Sequence, residues 1–335
     1  MERKSFNIQT YLLERIGKLL PSSISLVDEL AEVLNISIDS VYRRLKGETL
    51  LNIEEIELLC NRYIISFDSF CKFRGNTVTF DFSPMGDEQN YKNYLLSILN
   101  DLKVIHKNKN KRIIYAAEDI PLFHNFVFPE LAKFKLFYWM KSIMNIESLQ
   151  GIKFDSQLIN KEILEIGQEL YDLYAKIPSV EIWTELTPVS LYKQIEFFWD
   201  TGIFRSKDDA LAICDSAKEE FSLLEKEATI ARKYDSKGSL APDENNYILY
   251  WSEIEIGNNC ILAEIEGEKA VYLAFNTFNK LTTRNKYFCG EIDKWLKNLM
   301  KKSTLISGIS EKQRCRFFNR LNEGLENLRN KIARS

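Results

Sequence analysis

The sequence predicts a mainly α-helical protein of the α+β class: a small all-helical head, a large helical C-terminal body and a small antiparallel β meander late in the chain. Three observations carry this expectation. Apolar residues recur at three- and four-residue spacing along most of the 335 positions. Only 13 glycines and 7 prolines interrupt them. Alternation of apolar and polar residues, the mark of half-buried strands, is concentrated between Asn246 and Asn276.

The head reads as five short helices within residues 1–73. Ile8, Leu12, Ile16 and Leu19 form a stripe that Pro21 stops. Ser25 starts a second helix three residues before Asp28, and Leu26, Leu30 and Leu34 line one side of it. Asn35-Ile36-Ser37 interrupts the pattern. Ser37 caps a third helix that runs to Lys46, and Gly47 ends it. Asn52 caps a fourth, with Ile53, Ile56, Leu59 and Tyr63 on one face, and Phe67-Asp68-Ser69-Phe70 closes the head as a turn of helix. Residues 76–82 alternate as a strand does, and Ser83-Pro84-Met85-Gly86 marks a boundary, so residues 74–86 read as a linker.

A helical body is expected over 87–235, with helices at about 89–106, from Pro121 towards Met144, and at about 157–176, 187–200 and 206–233. Lys107 to Arg112 reads as a solvated basic loop, and Ile113 to Ala117 as a short buried strand. The break at Asp235 to Asp243 changes the character of the chain. Three runs follow, YILYWSEIEI, CILAEIE and KAVYLAFN, separated by Gly257-Asn258-Asn259 and Glu266-Gly267-Glu268 as hairpin turns would separate them. With two terminal helices, about 284–302 and 310–332, they make residues 244–335 a region expected to pack on the body and to serve sensing and dimerisation.

Composition excludes several classes. With 45 Lys and Arg against 48 Asp and Glu, and 45% hydrophobic residues, the chain is too apolar and too evenly charged to be disordered. A net charge of −3 argues against a generally basic nucleic-acid coat, so a nucleic-acid role would rest on a local patch. The six cysteines stand at least eleven positions apart, with no zinc-type Cys/His spacing, as small buried residues of a reducing compartment would. No apolar run of transmembrane length is present. A cytoplasmic protein with no cofactor and no metal is expected.

The second and third helices carry the most specific signal. Ala31 gives the small side chain that a steep helix crossing needs, and Leu30, Leu34, Ile36 and Val41 give its apolar anchors. The exposed face of the third helix would then present Ile38, Asp39, Ser40, Tyr42, Arg43 and Lys46, and such a helix fits the major groove. Residues 25–70 resemble the lambda-repressor-like, XRE-type helix-turn-helix domain. The match lies in Leu30-Ala31, in the turn Leu34-Asn35-Ile36-Ser37, in Lys46-Gly47, and in the Ile53–Leu59 and Ile64–Phe70 patterns. Asn35 stands where that family has glycine, and Arg44 stands where an apolar residue is usual, with Leu45 taking the apolar role. The resemblance implies groove contacts from Ile38, Asp39 and Arg43, with Arg43 on guanine, and phosphate contacts from Ser37, Tyr42, Arg44 and Lys46.

Elsewhere catalytic chemistry is missing from the pattern. The only histidines are His106 and His124, and no nucleophile, phosphate-loop or dinucleotide motif is present. Aromatics crowd Phe123 to Trp139 and Trp183 to Trp199, as a large core would, or as the lining of a pocket for a small-molecule or peptide effector. The amphipathic stretch from Ala210 to Lys233 suits a subunit interface. The expected function is a homodimeric, sequence-specific transcriptional regulator that binds double-stranded DNA, is not an enzyme, and has a dimerising, effector-sensing C-terminal region. The alternative is a helical scaffold for a protein or peptide whose head does not bind DNA.

Overall fold

A computed structural model describes residues 8–20, 24–63, 65, 77–82, 88–275 and 279–335. The chain divides into two units, Met1–Asp81 and Phe82–Ser335.

In the first unit, α1 (Ile8–Leu19), α2 (Leu26–Leu34), α3 (Ile38–Leu45) and α4 (Ile53–Tyr63) close around Leu12, Ile16, Leu30, Val41 and Leu59, the residues that the helical spacing singles out. Asn35 ends α2 in the left-handed region, φ 52°, and its backbone N–H and that of Ile36 donate to carbonyls of the last turn. Ser37 caps α3 by accepting from the Ser40 backbone N–H, and Gly47, φ 77°, follows its end. The expected fifth helix, Phe67 to Phe70, lies outside the described residues. Of the strand expected over 76–82, only Asp81–Phe82 (β1) takes part in a sheet, and residues 77–80 are irregular.

The second unit is built on one mixed sheet. Its remaining strands are β2 (Lys111–Ala117), β3 (Ser179–Trp183), β4 (Tyr247–Trp251), β5 (Cys260–Ile265), β6 (Glu268–Phe275), β7 (Asn279–Thr283) and β8 (Thr304–Leu305), in the order β1-β7-β6-β5-β2-β3-β4-β8. The helices are α5 (Glu88–Lys107), α6 (Pro129–Tyr138), α7 (Lys161–Ala175), α8 (Val189–Asp200), α9 (Lys207–Ile230), α10 (Lys286–Lys301) and α11 (Glu311–Arg334). β2, β3 and β4 run parallel, joined by helical crossovers, and β5 turns back antiparallel on the free side of β2.

The sheet corrects the sequence reading in three places. The antiparallel meander comprises β5, β6 and β7, not the three runs read from the sequence. The first of those runs, β4, is separated from β5 by the two strands β2 and β3 and pairs parallel with β3. The Gly257 to Asn259 segment is therefore a crossing loop and not a hairpin turn, whereas Glu266-Gly267, φ 49° and 85°, does make a two-residue turn with both residues left-handed. β3 was not foreseen. Strands from 87–235 and from 244–335 thus share one sheet within one unit.

Alternation along the strands sorts the core into two layers. Ile114, Ala116, Val180, Ile182, Leu262 and Val271 face α10 through Cys289, Leu296 and Leu299. Ile113, Tyr115, Trp183, Tyr247 and Leu249 face the larger helical layer. There α9, started by a reciprocal Ser206–Asp209 capping box, buries Ile213, Cys214, Ala217, Phe221, Leu224 and Ala228 inside the chain and packs chiefly on α11. Its apolar face is consumed internally, which corrects its expected use as a subunit interface. The edge strands β1 and β8 have two residues each, so the sheet offers little edge for pairing with another chain. No described helix is long and apolar enough to cross a membrane.

Candidate functional site

The face of α3 is set by what its inward side is tied to. Arg44 turns inward. Its Nη2 donates to Glu55 Oε1 at 2.6 Å, its Nε to Glu55 Oε2 at 3.3 Å and its Nη1 to the Ser40 carbonyl at 3.3 Å. The Glu55 carboxylate also accepts from the Asn52 backbone N–H, while Asn52 Oδ1 accepts from the Glu55 N–H, so one carboxylate locks α3 to the start of α4. Gln9 of α1 fixes the opposite end. Its amide donates to the carbonyls of Arg44 and Thr49 and accepts from the Leu51 N–H, all within 2.8 Å. Tyr63 of α4 donates to Glu29 of α2. Held this way, α3 leaves Ser37, Ile38, Asp39, Tyr42, Arg43 and Lys46 exposed. The Arg43 side chain is 65% exposed, with only a 4.0 Å approach to Glu48, an ion pair that salt screens readily. Ser40 is half-buried, its Oγ 2.9 Å from Ser37 Oγ. Of the eight residues expected at the DNA, seven from the resemblance and Ser40 from the exposed face of the helix, six are exposed; Arg44 is engaged within the fold and Ser40 serves the cap.

The body holds a cavity of about 120 Å³ between α5 and the β2-β5-β6-β7 part of the sheet. It follows from the sequence of the strands. Where Ile98, Leu102 and Ile105 of α5 approach the sheet, the facing residues of β5 and β6 include the small Ala263 and Ala274. The rest of the wall is apolar or aromatic except for Asp119 and Asn259, whose Oδ1 accepts from the Asp119 N–H, and for Asp101 and Lys280, which pair with each other. Phe123 and Trp139 belong to this wall, while Phe134, Phe137, Phe154, Phe198 and Phe204 form a tight aromatic cluster in the core.

Beside the cavity lies a buried polar cluster that the sequence reading missed. Glu181, in the middle of the fully buried β3, accepts four hydrogen bonds: from His124 Nε2 at 2.8 Å, Tyr174 OH at 2.6 Å, Trp183 Nε1 at 2.8 Å and Tyr247 OH at 3.1 Å. Burial pushes the Glu181 carboxyl up, but His124, the Tyr174 hydrogen bond and Lys233 outweigh it and hold the pKa below the ordinary carboxylate range. Burial pulls the His124 imidazole down, and Glu181, Glu227 and Glu220 pull it further up, above its usual value. The pair is therefore an ion pair, 2% and 0% exposed, closed to solvent. Lys233 donates to the Ile177 carbonyl at 2.6 Å and to Ser179 Oγ at 2.7 Å and lies 4.1 Å over the Tyr174 ring. Burial lowers the pKa of Lys233 and raises that of Glu227. Glu220, with neither carboxylate oxygen hydrogen-bonded among the described residues, is pushed by burial up to about 7.

The sequence did carry a signal for this cluster: a charged residue inside an otherwise apolar run, Glu181 in Val180–Trp183 and Lys135 in Phe134–Trp139. Lys135 is fully buried and donates to Gln194 and, at 3.4 Å, to Asp119. Of the basic loop, Lys111 donates to two carbonyls at the end of α5 and Arg112 pairs with Glu264, so both serve the fold. Among the described residues no group of three potential metal ligands is assembled, and Cys214, Cys260, Cys289 and Cys315 are free thiols. No protein-family model matches the chain, and neither a curated protein nor a solved structure matches it.

Proposed function

We propose that the chain is a dimeric, sequence-specific DNA-binding regulator, working in the cytoplasm beside its DNA, whose body senses a signal. One observation carries this reading: α3 is anchored on its inner side by Arg44, Val41 and the Gln9 bridge while its outer side presents Ile38, Asp39, Tyr42, Lys46 and the largely exposed guanidinium of Arg43. A helix of that kind can lie in the major groove. Arg43 would bond guanine O6 and N7 together, Asp39 would accept from a cytosine amine, and Ile38 would pack on a thymine methyl. Ser37, Tyr42 and Lys46 would hold phosphates and set the register. One such head contacts few base pairs, so a dimer reading two half-sites would supply the affinity. The head carries nine Lys and Arg against eleven Asp and Glu, so binding without sequence preference would be weak. The non-enzymatic reading is supported by the engagement of His124 and Glu181 with each other in a closed interior.

A scaffold role is the second reading. It is favoured by the internal Arg44–Glu55 pair and by Leu50 and Ile53, 72% and 80% exposed beside α3, which suit a protein partner. Titration of the full chain against duplex DNA from its own upstream region, at several salt concentrations, separates the two. The regulator reading expects specific binding that weakens steeply with salt; a scaffold shows none.

A further inference from the structure

We propose that the cavity beneath α5 binds a small neutral molecule with one aromatic ring and a hydrogen-bond-accepting oxygen. This deepens the sensing half of the proposed function. Three features point to that chemistry. The first is size and lining. A void of about 120 Å³ is of the order that holds a single benzene ring when its walls are apolar, and here aliphatic side chains and the rings of Phe123 and Trp139 make most of the wall.

The second is two donors in the wall that have no partner among the described residues. Tyr115 is 5% exposed and lines the cavity, yet its hydroxyl has no hydrogen-bond partner among the described residues. Asn259 uses its Oδ1 to accept from the Glu118 and Asp119 backbone N–H groups, which orients the amide and leaves its Nδ2 hydrogens without a partner among the described residues. The two lie on the same sheet face: Ile261 pairs with Tyr115, and Asn259 is two residues from Ile261 on β5's approach. Both groups offer hydrogens, so the complementary atom on a ligand is an acceptor oxygen.

The third is charge. Both acids on the rim already have a cation: Asp101 is 2.9 Å from Lys280, and Asp119 is 3.4 Å from Lys135. Lys280 also donates to Ser97 and lies 5.3 Å over the Tyr272 ring. Among the described residues no uncompensated charge faces the void, so a carboxylate or ammonium ligand would lose its hydration without gaining a counter-charge. A neutral ketone, aldehyde or amide on a ring avoids that loss.

The test is a titration of the full chain, without DNA, with acetophenone, toluene, benzoate and benzylamine, followed by calorimetry and by tryptophan fluorescence, to which Trp139 in the cavity wall contributes. Acetophenone is expected to saturate a single site, with benzoate and benzylamine about tenfold weaker or more. Tyr115→Phe keeps the ring and removes the donor, so acetophenone should weaken by about tenfold while toluene is unchanged. Ala263→Leu fills the void and should abolish binding of both. Should the leucine variant not fold, the acetophenone-to-toluene ratio in Tyr115→Phe decides alone. Absence of saturable acetophenone binding to the wild type, equal binding of benzoate, or an unchanged ratio in Tyr115→Phe overturns the proposal. Because DNA is absent, ligand binding without DNA binding would leave this site standing and remove the regulator reading; the reverse would do the opposite.

Discussion

Glu220 gives the sharpest energetic prediction. It faces the interior from α9, with neither oxygen hydrogen-bonded among the described residues, and burial lifts its pKa from 4.5 to about 7 against the pull of His124 and Lys135. A raised carboxyl keeps its proton in the folded state where the unfolded chain has lost it. Stability therefore falls as pH rises through the window from about 4.5 to about 7. The full gap corresponds to about 3 kcal/mol, most of it spent between pH 5 and pH 8.5. Glu220→Gln keeps the shape and removes the titration. The assay is urea unfolding at pH 5 and pH 8.5, followed by tryptophan fluorescence. All five tryptophans lie in the second unit, so the signal reports that unit and not the head. Relative to wild type, the glutamine variant should gain about 2 kcal/mol or more on going from the lower to the higher pH, whatever its constant packing difference. Parallel stability curves for the two proteins would refute the assignment of a buried, unpartnered carboxyl.

Two further substitutions test the packing and the turn. Gly167 of α7 lies against the Phe126 ring, and a Cβ built there would stand 2.2 Å from a ring carbon. Gly167→Ala should cost about 1–3 kcal/mol in the same unfolding assay, despite the better helix propensity of alanine. Asn35 holds a left-handed backbone between α2 and α3. In thermal unfolding of the head followed by circular dichroism, Asn35→Gly should be neutral or slightly stabilising, while Asn35→Val should destabilise by about 1 kcal/mol or more. Equal melting temperatures for the two variants would contradict the turn.

Much of the helical architecture was legible because local rules suffice for it. The Leu30/Leu34 stripe, the Asn35 turn, the Ser37 cap and the Asn52 start all act within a few residues, and each lies where its pattern places it. The sheet was less legible because its pairing is long-range. Tyr247–Trp251 alternates well, but nothing in its neighbourhood reveals that its partner is the parallel β3, more than sixty residues earlier. β3 itself, Ser-Val-Glu-Ile-Trp, is short and has a carboxylate at its centre, which lowers its strand signal. That carboxylate is tolerated because four donors from α7, β3, β4 and the His124 turn converge on it, an arrangement that only the fold reveals. On α3 the pattern identified the helix but not its rotation. Leu45 and Val41 turn inward as expected, and Arg44 follows them because Glu55 lies opposite, so the basic face is narrower than three neighbouring cations suggest. The cavity was foreseen only as a use for aromatics; its place is set by Ala263 and Ala274, which composition does not single out.

The central claim is that the outward face of α3 reads duplex DNA through Arg43. The measurement that tests it most directly compares wild-type and Arg43→Ala protein for binding to the chain's own upstream DNA and to a scrambled duplex of the same length, at fixed salt. The account predicts that the wild type prefers the native duplex and that the alanine variant, with its helical signal intact, loses about tenfold or more of that preference. Equal affinities of the wild type for the two duplexes, or an Arg43→Ala protein as discriminating as the wild type, would contradict it.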